Sequence, residues 1–194
     1  MLLSKVLAAF FLAAAVAGCG SVNLNPIVTG TACNTRQQCV KDLRLPSPVS
    51  PEYVFVVDPY KMDGRAKGSF ETSVLGPVNH GDVDLCVARA LAGEFGDKAK
   101  IVFSKQGLEG PYAEIKILRA DFRSAYTAGW EMKIEYRFTA SGKSSDNTAR
   151  SGIGNFLGGR KAAETQYPLA CRILAKQVRE KLGSSLSGAR FPSP

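Results

Sequence analysis

Cysteine is the residue type in this sequence with the widest capacity for chemistry. The five cysteines are Cys19, Cys33, Cys39, Cys86 and Cys171. The C-x5-C spacing of Cys33 and Cys39 could close a small disulfide loop or supply two ligands to a zinc ion. A structural zinc ion needs about four ligands, and the only histidine of the chain, His80, has no partner nearby. The spacing therefore favours a disulfide, and we expect no metal or other cofactor.

His80 is the one candidate for acid–base catalysis. It lies just before a predicted helix, close in sequence to Asp82 and Asp84, and a histidine–aspartate pair can transfer protons. No nucleophile is identified beside the pair, and Asp82 is explained more simply as the N-cap of the helix. Because a catalytic site needs several groups that converge in a pocket, we expect no enzymatic activity. A periplasmic hydrolase that uses His80 is the alternative.

The segment from Arg150 to Arg160 is rich in glycine and precedes a predicted helix. Such loops can bind phosphate, but this one has neither a Gly-Lys-Ser/Thr ending nor the G-x-G-x-x-G order of nucleotide sites. It contains three large apolar residues, Ile153, Phe156 and Leu157. We interpret the segment as a mobile connection, and the alternative is an exposed apolar tip that contacts a membrane or a partner.

Residues 1–18 have the features of an export signal. One lysine precedes an apolar run at 6–16, which is shorter than the roughly 20 residues that span a bilayer. The Val-Ala-Gly-Cys ending at 16–19 resembles the lipobox of bacterial lipoproteins. That resemblance implies cleavage before Cys19 and lipid on Cys19. Gly20 resembles the residue that follows the cysteine in lipoproteins sorted to the outer membrane of Gram-negative bacteria.

The composition of the mature chain is that of one basic domain. Removal of residues 1–18 leaves 176 of 194 residues and lowers the formal net charge from +8 to +7, because this segment contains one lysine and no acid. A chain of this length suits a single domain. Its positive charge favours anionic partners, which in a cell envelope are lipid phosphates before nucleic acids. We expect no nucleic-acid partner.

Two segments have the apolar periodicity of helices with one buried face. The first begins at Asp82 and ends at Gly96. The second extends over 165–182 and ends at Gly183, with Pro168 tolerated only in its first turn. The periodicity turns Cys86 and Cys171 inward, so helices lying side by side would allow a disulfide between them. Two buried free thiols are the alternative, and export to an oxidising compartment favours the bridge.

Strand patterns account for most of the remaining sequence. Short strands are predicted at 53–57 and 99–103, with an uncertain strand or hairpin within 60–81. A long strand at 112–126 changes phase by one residue at Leu118, as a β-bulge would. The strand at 131–138 alternates charged and apolar residues, which predicts one dry and one solvated, charge-paired face. Residues 141–150 are interpreted as a polar turn region.

The order of these elements predicts an α+β fold. A mainly antiparallel sheet with one apolar face, together with two amphipathic helices, favours a two-layer sandwich in which both helices pack on that face. The predicted layout is a signal at 1–18, a lipidated tether with the Cys33/Cys39 loop at 19–52, one domain at 53–183 and a disordered tail at 184–194. The tether would let the domain stand off the bilayer.

This order of elements, with its lipobox and proline-rich tether, resembles small outer-membrane lipoproteins of the lipopolysaccharide-assembly and ABC-transport-auxiliary type. The resemblance implies a non-catalytic accessory protein that faces the periplasm, is held by its lipid in the outer membrane and binds an envelope protein or lipid. The alternative is a structural lipoprotein that rests on anionic lipid through the basic side of its last helix. That side carries Arg172, Lys176 and Arg179.

Overall fold

The computed structural model describes residues 22–23, 36–60, 78–79, 82–125, 129–152 and 159–186. The helices and strands, in chain order, are β1 (Val22–Asn23), α1 (Arg36–Asp42), β2 (Tyr53–Val57), β3 (Val78–Asn79), α2 (Val83–Phe95), β4 (Ala99–Val102), β5 (Ala113–Ala125), β6 (Gly129–Ala140), β7 (Lys143–Ser151) and α3 (Gly159–Leu186).

The architecture is the predicted α+β arrangement. Five strands form a mixed sheet in the order β4-β2-β5-β6-β7, in which β2 is parallel to both of its neighbours and the other pairs are antiparallel. Helices α2 and α3 bury their apolar sides against this sheet. Strands β1 and β3 form a separate two-stranded parallel sheet.

The alternating pattern of β6 places one side of the sheet in the core. Its even-numbered residues from 132 to 138 are at most 4% exposed, and they pack with the helix residues Leu91, Leu174 and Val178. The odd-numbered residues carry the charges and are ion-paired. Arg137 makes two hydrogen bonds to the Asp146 carboxylate on β7, at 2.6 and 2.9 Å. The solvated, charge-paired face of the prediction is confirmed.

The phase change predicted at Leu118 is a real irregularity of β5. The register between β5 and β6 shifts between Ile117 and Arg119, and Leu118 is 40% exposed between strand segments that face the core. Just beyond the shift, the Ala120 amide donates a hydrogen bond to the Tyr60 hydroxyl at 3.2 Å. The bulge therefore lets β5 continue with its apolar residues on the core side.

The predicted polar turn region at 141–150 is wrong, because most of it is strand β7. Only Ser141 and Gly142 form the turn, with φ angles of 50° and 73°, as a two-residue type I′ hairpin requires. The exposure of β7 alternates, but its sequence KSSDNTARS places only Ala149 and Ser151 in the core. An edge strand with so few apolar residues has no hydrophobic alternation by which to recognise it.

Helix α3 is longer than the predicted 165–182. It begins at Gly159 and ends at Leu186, so Pro168 lies inside the helix instead of in its first turn, and residues 184–186 are helical instead of tail. Gly183 does not end the helix. The buried residues of this helix lie between Gln166 and Leu182 among the described side chains. Residues 187–194 lie outside the described residues.

The predicted tether at 19–52 contains ordered structure. Helix α1 lies within it, and Cys39 on this helix is 2% exposed and belongs to the core, against which Val40, Leu43 and Leu45 also pack. Strand β1 follows Cys19 by three residues and pairs with β3 (Val22 opposite Val78). Residues 36–42 of this segment are therefore helical and pack on the core, whereas the tether role of 19–52 stays a prediction.

Candidate functional site

Helices α2 and α3 lie side by side and run in the same direction. Cys86 and Cys171 form a disulfide with a Cα–Cα distance of 6.0 Å and a sequence separation of 85. Glu94 and Arg179, which have the same separation, form an ion pair at 3.0 Å. Since eight residues of helix span about 12 Å, the two helices are joined at two places that far apart. The predicted bridge between the helices is present.

These two connections mark two ends of the domain. The end near the Glu94–Arg179 pair, with Tyr53 and Leu182, is called the groove end below. The opposite end, with Asp82, Cys86, Ser151 and Tyr167, is called the disulfide end. Strand β6 runs from the disulfide end, where Met132 is opposite Ser151, to the groove end, where Ala140 lines a cavity.

The groove end contains two adjoining hollows that share Tyr53 and Leu182. The first has a volume of about 270 Å³ and lies between the start of β2, the start of β5 and the turn after β6. Its other lining residues are Pro51, Glu52, Val54, Glu109, Pro111, Tyr112, Ala113, Ala140 and Ser141. The second hollow, of about 440 Å³, is lined by Tyr53, Phe95, Lys98, Arg179, Leu182 and Gly183. We call the two together the groove.

Aromatic packing forms the floor of the groove. The Tyr53 ring lies 5.3 Å from the Phe95 ring, and the Phe55 ring lies 4.8 Å from it, all between centroids. The Arg179 guanidinium lies 5.3 Å from the Phe95 centroid, in reach of a cation–π interaction. Arg179 therefore contacts both Phe95 and Glu94 where α2 ends.

The charges at the groove rim are coupled to Tyr53. Hydrogen bonds from the Tyr53 hydroxyl and, second, from Lys98 lower the pKa of Glu52 below its usual 4.5. The same hydrogen bond to Glu52 raises the pKa of Tyr53 above 10.0. Lys98 and Glu52 are 3.2 Å apart and both well exposed. The rim thus has negative and positive groups next to an apolar floor.

The groove lining combines apolar surface with a few polar side chains. In the two hollows, the described lining residues include two glutamates, two tyrosines and one serine, but no histidine or cysteine that could act as base or nucleophile. The apolar lining and the charged rim fit an apolar segment that carries a polar or charged group. Among all described residues, no three His, Cys, Asp or Glu side chains are grouped to hold a metal ion.

The disulfide end buries ionisable and hydroxyl side chains. Asp84 is completely buried in the first turn of α2, where the helix dipole favours a negative charge. Tyr167 is also completely buried, and this burial, followed by the nearby charges of Asp82 and Asp84, raises the pKa of its hydroxyl well above 10.0. The Ser151 hydroxyl donates to the Gln166 carbonyl at 2.7 Å. This end therefore holds buried ionisable and hydroxyl side chains beside the disulfide.

The alternative of a hydrolase that uses His80 stays a prediction. His80 lies outside the described residues. Asp82 occupies the N-cap position of α2, but its side chain makes no capping hydrogen bond, which corrects the prediction that it caps the helix. Asp84 has no exposed surface from which to reach a substrate.

The three predicted basic residues of the last helix occupy exposed positions of α3. Arg172 and Lys176 are exposed one turn apart, whereas Arg179 is paired with Glu94 and lies over Phe95. The sequence therefore identified the exposed side of the helix but not the separate contacts of Arg179.

Several predicted residues lie outside the described part of the chain. They are Cys19, Cys33, Ile153, Phe156 and Leu157. Cys39 is disulfide-bonded, and its partner likewise lies outside the described residues. Within the described residues, no helix combines the length and the hydropathy needed to cross a bilayer.

Sequence analysis missed the groove because its lining comes from separate segments. One signal was available: Pro51 and Pro111 each stand two residues before a strand that begins at the same end of the sheet, and each is close to a tyrosine. Parallel pairing of β2 with β5 then places the starts of these two strands side by side.

No protein-family model matches the sequence, and no curated protein matches it. Similar solved structures include an uncharacterized protein (TM-score 0.48, 9% identity, 70% of this chain and 99% of that chain). Others are a DUF330 protein from Xanthomonas campestris (0.40, 11%, 73% and 94%) and a minor lipoprotein from Acinetobacter baumannii (0.39, 10%, 71% and 95%).

Proposed function

We propose that this chain is a lipid-anchored, non-catalytic accessory protein of the bacterial cell envelope. It faces the periplasm from the outer membrane and serves a transport or envelope-assembly system by binding an envelope protein. The observation that carries the proposal is the export signal that ends in the lipobox-like Val-Ala-Gly-Cys at 16–19. The Cys86–Cys171 bridge supports it, because structural disulfides persist mainly in oxidising compartments outside the cytoplasm.

Lipid attachment is tested on the mature N-terminus. Mass analysis of the protein expressed in a Gram-negative host should find cleavage between Gly18 and Cys19 and acyl chains on Cys19. Cys19→Ser should abolish both, whereas the matched variant Cys39→Ser should retain them because it leaves the lipobox intact. An unmodified N-terminus on Cys19 would refute the anchor.

Separation of inner and outer membranes on a density gradient should place the protein in the outer membrane, and recovery in the inner membrane would refute that location.

Binding at the groove is tested with a photo-crosslinking amino acid. Tyr112 lines the groove and is 38% exposed, and Leu118 is 40% exposed at the β5 bulge, away from the groove. These positions are therefore matched in exposure. We expect one discrete crosslinked envelope protein from position 112 in living cells and none from position 118. Equal crosslinking at both positions, or none at position 112, would contradict a partner site at the groove.

The second candidate is a structural lipoprotein whose basic helix side rests on anionic lipid. The exposure of Arg172 and Lys176 one turn apart favours it, although each such charge contributes only about 1 kcal/mol near an anionic surface. Binding of the Cys19→Ser protein to vesicles rich in phosphatidylglycerol should then decrease with salt and be weakened by Arg172→Gln with Lys176→Gln. Binding that is insensitive to salt would eliminate this candidate.

A further inference from the structure

Strand β7 forms an open edge of the five-stranded sheet. It is the last strand in the sheet order and pairs only with β6 among the strands that the structure describes. Its nine residues contain no proline, and their register with β6 is unbroken. Natural sheets protect such an edge with a bulge, a proline or a very short strand, and the opposite edge strand, β4, has only four residues. The long, regular edge of β7 therefore offers a template for a further strand.

The hairpin turn determines which backbone groups of β7 face outwards. In a two-residue hairpin, the residues on either side of the turn, here Ala140 and Lys143, exchange both of their hydrogen bonds. Such pairs recur at every second residue, so the odd-numbered residues of β7 bond to β6. The even-numbered residues direct their N–H and C=O groups to the open edge. In agreement with this, the Thr148 carbonyl accepts a hydrogen bond from the Gln177 side chain on α3, at 3.1 Å.

The even-numbered residues of β7 also carry charges of both signs on the solvated face of the sheet. Asp146 is paired with Arg137 on β6 through two hydrogen bonds, at 2.6 and 2.9 Å. Arg150 is paired with Glu131 on β6, with 3.2 Å between its Nε and the carboxylate. Both β7 side chains remain more than half exposed, at 56% and 57%. An exposed acid and an exposed base therefore lie on the same face of the open edge.

A second copy of this chain complements the edge in both backbone and charge. If two β7 strands pair antiparallel about a two-fold axis at Thr148, each Thr148 lies opposite the other, and each Asp146 lies opposite Arg150 of the other copy. Opposite residues have their side chains on one face. All of these residues have outward-facing backbone groups, so ladder hydrogen bonds and ion pairs form together. An axis at residue 147 or 149 keeps the backbone match but places no acid opposite a base.

We propose that two copies of this chain join through β7 into one continuous sheet. On each side of the axis, Glu131 and Arg150 of one copy then continue into Asp146 and Arg137 of the other, as a row of alternating charge. A guanidinium has five N–H donors and a carboxylate accepts several hydrogen bonds, so the existing pairs persist. The Thr148 carbonyl has two lone pairs and can keep its bond from Gln177. This pairing goes beyond the proposed accessory role and does not depend on the lipid anchor.

A charge exchange tests the pairing by sedimentation equilibrium of the mature Cys19→Ser protein. Asp146→Arg alone places like charges opposite each other twice in the dimer, and so does Arg150→Asp alone. Each should raise the dimer dissociation constant more than about tenfold. An equimolar mixture of the two variants should restore dimers, because the mixed dimer again has opposite charges in both places. Lys143→Asp is the matched control outside the paired residues, and it should leave the constant unchanged.

Crosslinking of the lipidated full-length protein in membranes tests the position of the axis. In Thr148→Cys the two new thiols lie directly opposite each other, with Cα atoms about 5.5 Å apart. In Ser144→Cys, which is exposed on the same strand, they are eight residues out of register, or about 27 Å apart. A short bis-maleimide should give a covalent dimer from position 148 and none from position 144.

The outcomes decide the proposal whether or not Cys19 carries lipid. Dimers that return only in the mixture of the two charge variants, together with crosslinking at position 148 alone, support it. A mature protein that stays monomeric at about 100 μM overturns it, as does a dimer that neither charge variant weakens or a mixture that stays monomeric. Equal crosslinking at positions 144 and 148 also overturns it. Crosslinking of position 148 to a different protein, without a covalent dimer, would assign the edge to another partner and overturn the self-pairing.

Discussion

Helices α2 and α3 are joined differently at the two ends of the domain. At the disulfide end, a covalent bond links Cys86 to Cys171 among completely buried residues. At the groove end, the link is an ion pair between Glu94 and Arg179, whose side chains are 20% and 56% exposed. The two linked residues are 85 positions apart in both cases, so the helices are aligned in the same way at both ends. The two links differ in strength. We therefore expect one end of the helix pair to be fixed and the other to adapt beside the groove.

Among the changes that test this comparison, removal of the disulfide should have the largest effect on stability. Replacement of both cysteines in Cys86→Ala with Cys171→Ala should lower the free energy of unfolding by about 4 kcal/mol, because the bridge restricts a long loop in the unfolded chain. The urea midpoint of the mature Cys19→Ser protein measures this loss. Replacement of Cys39, which removes its disulfide, is the control. It should lower the free energy of unfolding by less than the double variant does if that bridge closes a short loop. An unchanged midpoint in the double variant would show that the helix packing alone fixes this end.

Removal of the ion pair should have a smaller and more local effect. Arg179→Met keeps the aliphatic contact with Phe95 but loses the charge, so we expect a loss of about 1 kcal/mol. Amide hydrogen exchange should become faster near Glu94 and Leu182 while remaining slow near Cys86. Arg172→Met is the matched control, since Arg172 is exposed on the same helix, and it should change neither region. Equally faster exchange at both ends would contradict the idea of one fixed and one adaptable end.

The smallest expected effect is the pH dependence at the groove rim. Since the folded-state pKa of Glu52 is lowered, its contribution to stability is present above the unfolded-state pKa and is lost as the pH falls through the lowered value. Tyr53→Phe should raise the Glu52 pKa towards 4.5 more than Lys98→Met does, because the Tyr53 hydrogen bond is the larger cause. NMR titration of the Glu52 carboxyl measures both shifts. A larger shift in Lys98→Met would show that the rim is governed by charge and not by the tyrosine.

Sequence reasoning succeeded where one physical pattern decides the structure. The alternation in β6 and the phase change at Leu118 both follow from the need to keep apolar residues in the core, and both are present. The inward positions of Cys86 and Cys171 came from the same argument applied to helices. In each case the information lies within one element.

The failures have a common physical origin in long-range contacts. Strand β7 has almost no apolar residues and is held by pairing with β6, and α1 is a seven-residue helix that packs on a core built from distant segments. The groove combines residues of β2, β5 and α3 with a turn. None of these features is specified by the local sequence, because each depends on which strands become neighbours.

The order of the cysteines along the chain bears on how the fixed end is made. No cysteine lies between Cys86 and Cys171, so these two residues are successive thiols in the exported chain that we propose, which would emerge from its N-terminus. An oxidase that joins each thiol to the next one to appear would produce this bridge directly. The helix pair can thus acquire its covalent link during secretion with no reshuffling by an isomerase.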